Sequence, residues 1–170
     1  MISYKQAIYK LKRFHLSTKS ETIFSKDSLY RISSENIYSK SNYPASNNTA
    51  LDGFAINSLE TKNASNIKKI KLRILKVVAA GDNPKIKKIT KKTCIEVMTG
   101  AVINKPFDTI IPYEKSKVIR IKNHNYLLIN KKINKFNNLR FVGSDYKKGQ
   151  IVIKKGDLIK PSDILVLKTL

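Results

Sequence analysis

Between Leu72 and Ile129 the chain offers five short runs rich in β-branched residues, with no helical pattern between any two of them. The runs are Leu72 to Ala80, Cys94 to Thr99, Thr109 to Tyr113, Val118 to Ile121 and Tyr126 to Ile129. Turn formers separate them, and Pro84 and Pro106 fall in the gaps, where they break no strand. A parallel α/β sheet joins its strands through helical crossovers, and these are missing. The spacing therefore predicts a compact barrel or coiled sheet. Helical patterns are confined to the ends of the chain. Ser3 with Gln6 reads as a capping box, followed by Ala7, Ile8, Leu11 and Phe14 on one face, the helix fading near His15 to Ser20. Ser25 is placed to cap a short second helix through Leu29 and Ile32. Ser41 to Ala50 reads as loop, and Asn57 to Lys69 as a polar, flexible connection. Gln150 to Ile153 and Asp157 to Ile159 flank a Lys-Lys-Gly turn and read as a further hairpin. Pro161 suits the first position of a closing helix with Ile164, Leu165, Leu167 and Leu170 on its apolar face. The predicted class is mainly β with N-terminal helices, an α+β fold. The last helix ends on leucine without a glycine cap, so the chain is expected to be the front part of something longer.

Composition narrows the function classes. With 34 Lys+Arg against 12 Asp+Glu, the formal net charge is +22. That balance invites a polyanion partner. The charge is nearly all lysine, however, and the arginines are only Arg13, Arg31, Arg73, Arg120 and Arg140. Bidentate forks on bases and phosphates favour arginine. The lysines are also spread along the chain among many Asn and Ile, as A/T-rich coding would produce. Specific nucleic-acid binding is therefore not expected, only weak salt-sensitive association. No apolar run is long enough to span a bilayer, and the N-terminus lacks a signal-peptide core. The lone Cys94 excludes an internal disulfide and fits a reducing cytoplasm. His15 and His124 stand apart from other zinc ligands.

Carboxylates being scarce, their settings are informative. Asn47 to Ala55 forms a small-polar segment that mounts Asp52 between Leu51 and Phe54, with Gly53 able to supply a positive φ. On the segment alone, such a turn reads as a plain hairpin turn ahead of a rigid mount for a functional acid. Thr99, in Met98-Thr99-Gly100-Ala101, presents a hydroxyl at a strand end. Asp108 and Glu114 bracket a strand. Asn138 to Asp145 closes in an acidic turn, where Asp145 reads as an Asx turn or a functional acid and Arg140 as a surface ion pair.

Taken in order, these segments resemble the N-terminal region of the molybdopterin molybdenumtransferase family, which includes MoeA and the gephyrin E-domain. The family's Ser-Ala-Met-Asp-Gly-Tyr-Ala segment is matched by Thr49 to Ala55, and its Ala-Gly after a long strand by Ala80-Gly81. Its Ile-Met-Thr-Gly-Ala element is matched by Val97 to Ala101, and its Asp-Ala-Val-Val and Glu by Asp108 to Ile111 and Glu114. Its Asn-Ile-Arg, Gly, Glu-Asp and Gly series resembles Asn138 to Arg140, Gly143, Ser144-Asp145 and Gly149. Gly156, Leu158, Pro161 and the last helix complete the likeness, which covers nearly the whole chain. The chain departs from the family at Tyr30, where a glycine usually precedes Arg31, and at Ser144, where a glutamate is common. Thr49 and Leu51 replace the usual serine and methionine, and the proline usual after Thr-Gly-Ala is missing.

The resemblance implies a compact β-barrel-like domain, residues 46–145, inserted in an elongated linker domain of coiled sheet and helix made of residues 1–45 and 146–170. It implies insertion of molybdate into adenylylated molybdopterin, with release of AMP and help from Mg2+. Asp52, Thr99 and Asp145 match functional positions, and their chemistry suits support of a metal and oxyanion site: a carboxylate ligates magnesium and a threonine hydroxyl donates to an oxyanion. The resemblance further implies a homodimer, a molybdopterin adenylyltransferase as partner, a pterin-binding domain beyond this region, and a chain inactive alone. The other readings weighed are a small basic β-barrel that binds nucleic acid, and a stand-alone dimerisation scaffold.

Overall fold

The computed structural model describes residues 2–14, 18–86 and 88–170. His15 lies outside the described residues. The chain is mostly β with two helices, and it divides into two compact units: Met1–Ile37 with Ile151–Leu170, and Tyr38–Gln150.

In the first unit, helix α1 (Tyr4–Arg13) opens with the expected capping box. The Gln6 N–H donates to Ser3 Oγ at 3.3 Å, and the Ser3 N–H donates to Gln6 Oε1 at 2.9 Å. Its last turn carries Lys10, Lys12 and Arg13, which suit the negative end of the helix dipole. Its apolar face is only partly covered among the described residues: Ala7 and Ile8 are half-buried, while Leu11 is 68% and Phe14 71% exposed. The second helix expected through Ile32 shrinks to a 3-10 turn, Ser25–Asp27, with Phe24 rather than Ser25 at its N-cap. The chain cannot continue helically because Tyr30 sits at φ 61°, in the left-handed region. There the Tyr30 N–H donates to Ile159 O at 2.8 Å, and Ile32 forms an antiparallel bridge with Leu158.

The tyrosine at that position explains one departure from the resemblance, since glycine occupies left-handed backbone without steric cost. Tyr30 is 67% exposed, so its ring loses little packing on removal. Tyr30→Gly should raise stability by about 0.5–1 kcal/mol, the left-handed penalty less the added freedom of glycine in the unfolded chain. Urea unfolding midpoints test this, and an unchanged or lower midpoint refutes it.

Strand β1 (Ile37–Tyr38) pairs with β10 (Ile151–Ile153). The Lys154 turn forms as expected, with the Lys154 N–H donating to Asp157 Oδ2 at 3.1 Å. Its arms do not pair with each other, because the earlier segment from Tyr30 to Tyr38 takes up both of them. Helix α2 (Pro161–Leu167) begins on proline, and Asp163 Oδ2 accepts the Lys160 N–H at 2.8 Å.

The second unit is built on a six-stranded mixed sheet. Its strands are β3 (Gly53–Ile56), β4 (Ile70–Val78), β5 (Thr93–Val97), β6 (Thr109–Pro112), β7 (Val118–Ile121) and β8 (His124–Ile129), in the order β6-β3-β5-β4-β8-β7. All five expected runs are strands. The outer strands β6 and β7 share no ladder among the described residues, so the sheet is mixed rather than closed by hydrogen bonds. The pair β4–β5 is parallel, and among the described residues its crossover contains no helix. Two short strands, β2 (Asn48–Thr49) and β9 (Leu139–Arg140), form a separate antiparallel pair. The stretch expected to be a flexible connection opens with an ordered 3-10 turn, Ser58–Thr61, capped by Asn57.

Both faces of the sheet's centre are buried. Ala55, Ile95, Val97 and Ile110 pack with Val78, Ile103 and Phe107 in one cluster. Their neighbours Phe54, Ile56, Cys94 and Ile111 pack with Leu72 and Leu127 in another. Adjacent residues go to opposite clusters, as the two-residue strand repeat requires. Each fully buried Ile, Leu or Phe contributes about 1.5–3 kcal/mol of transfer free energy. Among the described residues, no helix is long and apolar enough to cross a membrane.

Candidate functional site

Four of the singled-out segments meet at one edge of the sheet. Strand β3 begins at Gly53, which lies opposite Val97 at the end of β5 and Pro112 at the end of β6. Val78, the last residue of β4, lies opposite Val97 on the other side. The turns carrying Asp52, Ala80-Gly81, Thr99-Gly100 and Tyr113-Glu114 therefore sit side by side. Backbone bonds tie them together. The Met98 N–H donates to Val78 O at 3.0 Å, and the Tyr113 N–H to Asp52 O at 3.1 Å. Gly100 has φ +84°, and a Cβ on it would lie 3.1 Å from Ala80 Cβ, so the two turns pack closely.

The expectation for Gly53 needs correction. It is extended and belongs to a buried strand; no positive φ is involved. Glycine is needed because a Cβ there would lie 2.1 Å from Ile111 O. The Asp-Gly pair marks a strand start, not the apex of a hairpin.

Asp52 and Thr99 are joined across 47 residues of sequence. Asp52 Oδ1 accepts the Thr99 N–H at 2.7 Å and the Thr99 hydroxyl at 3.0 Å. Both residues are exposed at the surface. Asp52 Oδ2 has no hydrogen-bond partner among the described residues. Thr99 is thus an anchor for the carboxylate. In this structure its hydroxyl donates to Asp52.

Asp145 is held by a different set. It forms an ion pair with Arg140, and the Ser144 hydroxyl donates to its Oδ1 at 3.2 Å. The Arg140 guanidinium lies 5.8 Å from the centre of the Tyr43 ring, which stacks on Tyr146 at 5.4 Å. The pair is surface-exposed, with 38% and 41% of its side chains accessible, so its own stabilisation is at most about 1 kcal/mol. No contact joins Asp145 to Asp52 or Thr99 among the described residues. The two sets flank one strand: Asn48 of β2 lies opposite Arg140 on one side and bridges Val102 on the other.

The remaining chemistry-bearing groups take structural roles or stand apart. Asp108 receives the Ser58 N–H at 2.8 Å and the Ser58 hydroxyl at 3.0 Å, which fixes the 3-10 turn behind the sheet. Cys94 is fully buried, and burial pushes its thiol up from 9.0 to about 12, with Glu60 adding to the shift. It is no nucleophile at neutral pH. His124 faces Arg73 at 3.3 Å on the far strands. A cleft of about 600 Å³ is lined by Asn83 to Ile86, Ile89, Ile95, Asn104, Lys105 and Phe107, but none of Asp52, Thr99 or Asp145 lines it. We place the candidate site at the strand ends, where the polar geometry is. Among the described residues, no three His, Cys, Asp or Glu residues group to hold a metal ion.

The backbone amide of Thr99 is the contribution that side-chain reasoning missed, and the shorter of the two bonds to Asp52 comes from it. The signal was the glycine at position 100, which lets the turn bring that amide toward β3.

Comparison with known proteins places these features. The family model of the MoeA N-terminal region (domain I and II) matches residues 2–170. A molybdopterin molybdenumtransferase of Staphylococcus epidermidis is 32% identical over 168 residues, covering 99% of this chain and 39% of that protein. One from Staphylococcus aureus is 29% identical over the same length. The molybdopterin biosynthesis MoeA protein of Pyrococcus horikoshii OT3 superposes with a TM-score of 0.78 at 29% identity, over 88% of this chain and 38% of that one. The chain spans about two fifths of the length of the curated relatives it matches, 39% in each case given.

Proposed function

The chain belongs to the family of the MoeA N-terminal region, and from that we propose that it serves as this part of a molybdopterin molybdenumtransferase. In this reading the whole enzyme inserts molybdate into adenylylated molybdopterin. The observation that carries the proposal is the Asp52–Thr99 pair: two motif segments far apart in sequence share two hydrogen bonds at the edge of the sheet. Family membership favours this over a nucleic-acid-binding module, as does the dispersed lysine charge. It also favours it over a stand-alone scaffold.

The residues divide the work as their partners dictate. Thr99 holds one carboxylate oxygen of Asp52 by two donors and so fixes the carboxylate plane. The second oxygen remains available to a substrate, water or cation. On the other side of β2, Arg140 pairs with one oxygen of Asp145 and the Ser144 hydroxyl donates to the other. Magnesium fits these residues only in part, since Asp52 offers one oxygen toward a shell of six. Homodimerisation, a molybdopterin adenylyltransferase partner and a cytoplasmic location belong to the same proposal. The exposed Leu11 and Phe14 of α1 and the free buried thiol of Cys94 support the first and the last of these.

A chimera tests the proposal. Residues 1–170 replace the matching region of the Staphylococcus epidermidis enzyme, and molybdenum-cofactor formation is followed from molybdate and adenylylated molybdopterin. Product should form. A folded chimera that forms none would sink the reading.

A further inference from the structure

We propose that Thr49 is a positioning residue that sets the Asp52–Thr99 pair, acting through both turns at once. The inference rests on the site reading above. Thr49 is 1% exposed, which is unusual for a hydroxyl so close to an open site. Its hydroxyl donates to Leu51 O at 2.6 Å and accepts the Leu51 N–H at 3.2 Å. Those bonds close a tight turn that ends immediately before Asp52, so they set where the Asp52 backbone starts.

The backbone of the same residue holds the opposite turn. The Gly100 N–H donates to Thr49 O at 2.8 Å, and the Thr49 N–H donates to Ala101 O at 3.2 Å. These two bonds grip the chain just beyond Thr99. One buried residue therefore fixes the start of the acceptor and the flank of its donor. Ala101 is its counterpart in the opposite turn, where its N–H donates to Met98 O at 2.9 Å. On the far side, Gly53 is locked against the backbone of Ile111, so Asp52 cannot drift to recover the geometry. A serine hydroxyl reaches the same partners, whereas valine keeps the shape and loses both side-chain bonds.

Local hydrogen exchange in the full 170-residue chain tests this. In Thr49→Val the Thr99 amide should exchange on the order of ten-fold faster, the effect of about one lost hydrogen bond, while β5 amides such as Ile95 keep their rates. Thr49→Ser should stay within about two-fold of the parent at every one of these amides. Should the valine variant not fold, Thr49→Ala carries the same test. An unchanged Thr99 amide in the folded variant overturns the proposal. So does equal acceleration of Thr99 and Ile95, which would mark Thr49 as general packing. A second arm uses the chimera. Thr49→Val should lower kcat more than it changes KM, with Thr49→Ser restoring the rate, and full activity of Thr49→Val overturns the positioning role. If instead Asp52→Ala works at the parental rate, the site reading fails while the exchange result stands.

Discussion

Gly53→Ala should destabilise the sheet unit by about 3 kcal/mol or more, a larger loss than alanine at any other glycine of this chain. Overpacking a core ordinarily costs about 1–3 kcal/mol because neighbouring side chains yield. Here no side chain stands in the way. The new Cβ would lie 2.1 Å from Ile111 O, 3.0 Å from Ile111 C and 3.1 Å from Pro112 Cα, all backbone. Relief requires β6 to move away from β3, and that strains the ladder from Gly53–Pro112 to Ile56–Thr109. All four residues of β3 are buried, so the displacement also opens both apolar clusters. Chemical denaturation of the variant and parent measures the difference, and a loss below about 1 kcal/mol would show that the strands part freely. The same movement displaces Asp52, one residue away, so in the chimera activity should fall together with stability.

That prediction rests on a strand the sequence conceals. The five β-branched runs are legible because their residues fit a pleated, half-buried surface and turn formers bound them. Strand β3 has none of these marks. Gly53-Phe54-Ala55-Ile56 contains one β-branched residue, follows Asn-Asn-Thr-Ala-Leu-Asp, and does not alternate in polarity because both its faces are covered. Turn chemistry and a fully buried strand start look alike there. The parallel pairing of β4 with β5 is hidden for a related reason. Among the described residues its crossover contains no helix, so the usual helical signal is absent. Tyr30 hides a helix end, since nothing in a tyrosine announces a left-handed backbone. For the site, the residue types were legible and the pairing was not. Asp52 was matched to Thr99 only by their shared family, and a separation of 47 residues carries no local trace of the bond between them.

The pairing makes a kinetic statement that the separate residues do not. In the chimera, Asp52→Ala should lower kcat/KM by on the order of 100-fold, the scale for loss of one oriented charged group at a reacting centre. Thr99→Val should cost less, about ten-fold, because valine removes the 3.0 Å hydroxyl bond and leaves the 2.7 Å backbone bond to Asp52. If Thr99 acts by holding Asp52, its hydroxyl has nothing left to do once the carboxylate is gone. The double variant should then be no slower than Asp52→Ala alone, and the coupling free energy should equal the whole effect of Thr99→Val. Asp145→Ala supplies the contrast. Its carboxylate is held by Arg140 on the other side of β2, with no bond to the first pair, so its loss should multiply with that of Asp52. Steady-state rates of the three single and two double variants against the parent decide the matter. Multiplying losses for Asp52 and Thr99 would mean that the threonine touches substrate on its own account, and the anchoring role drawn from its two bonds would fall.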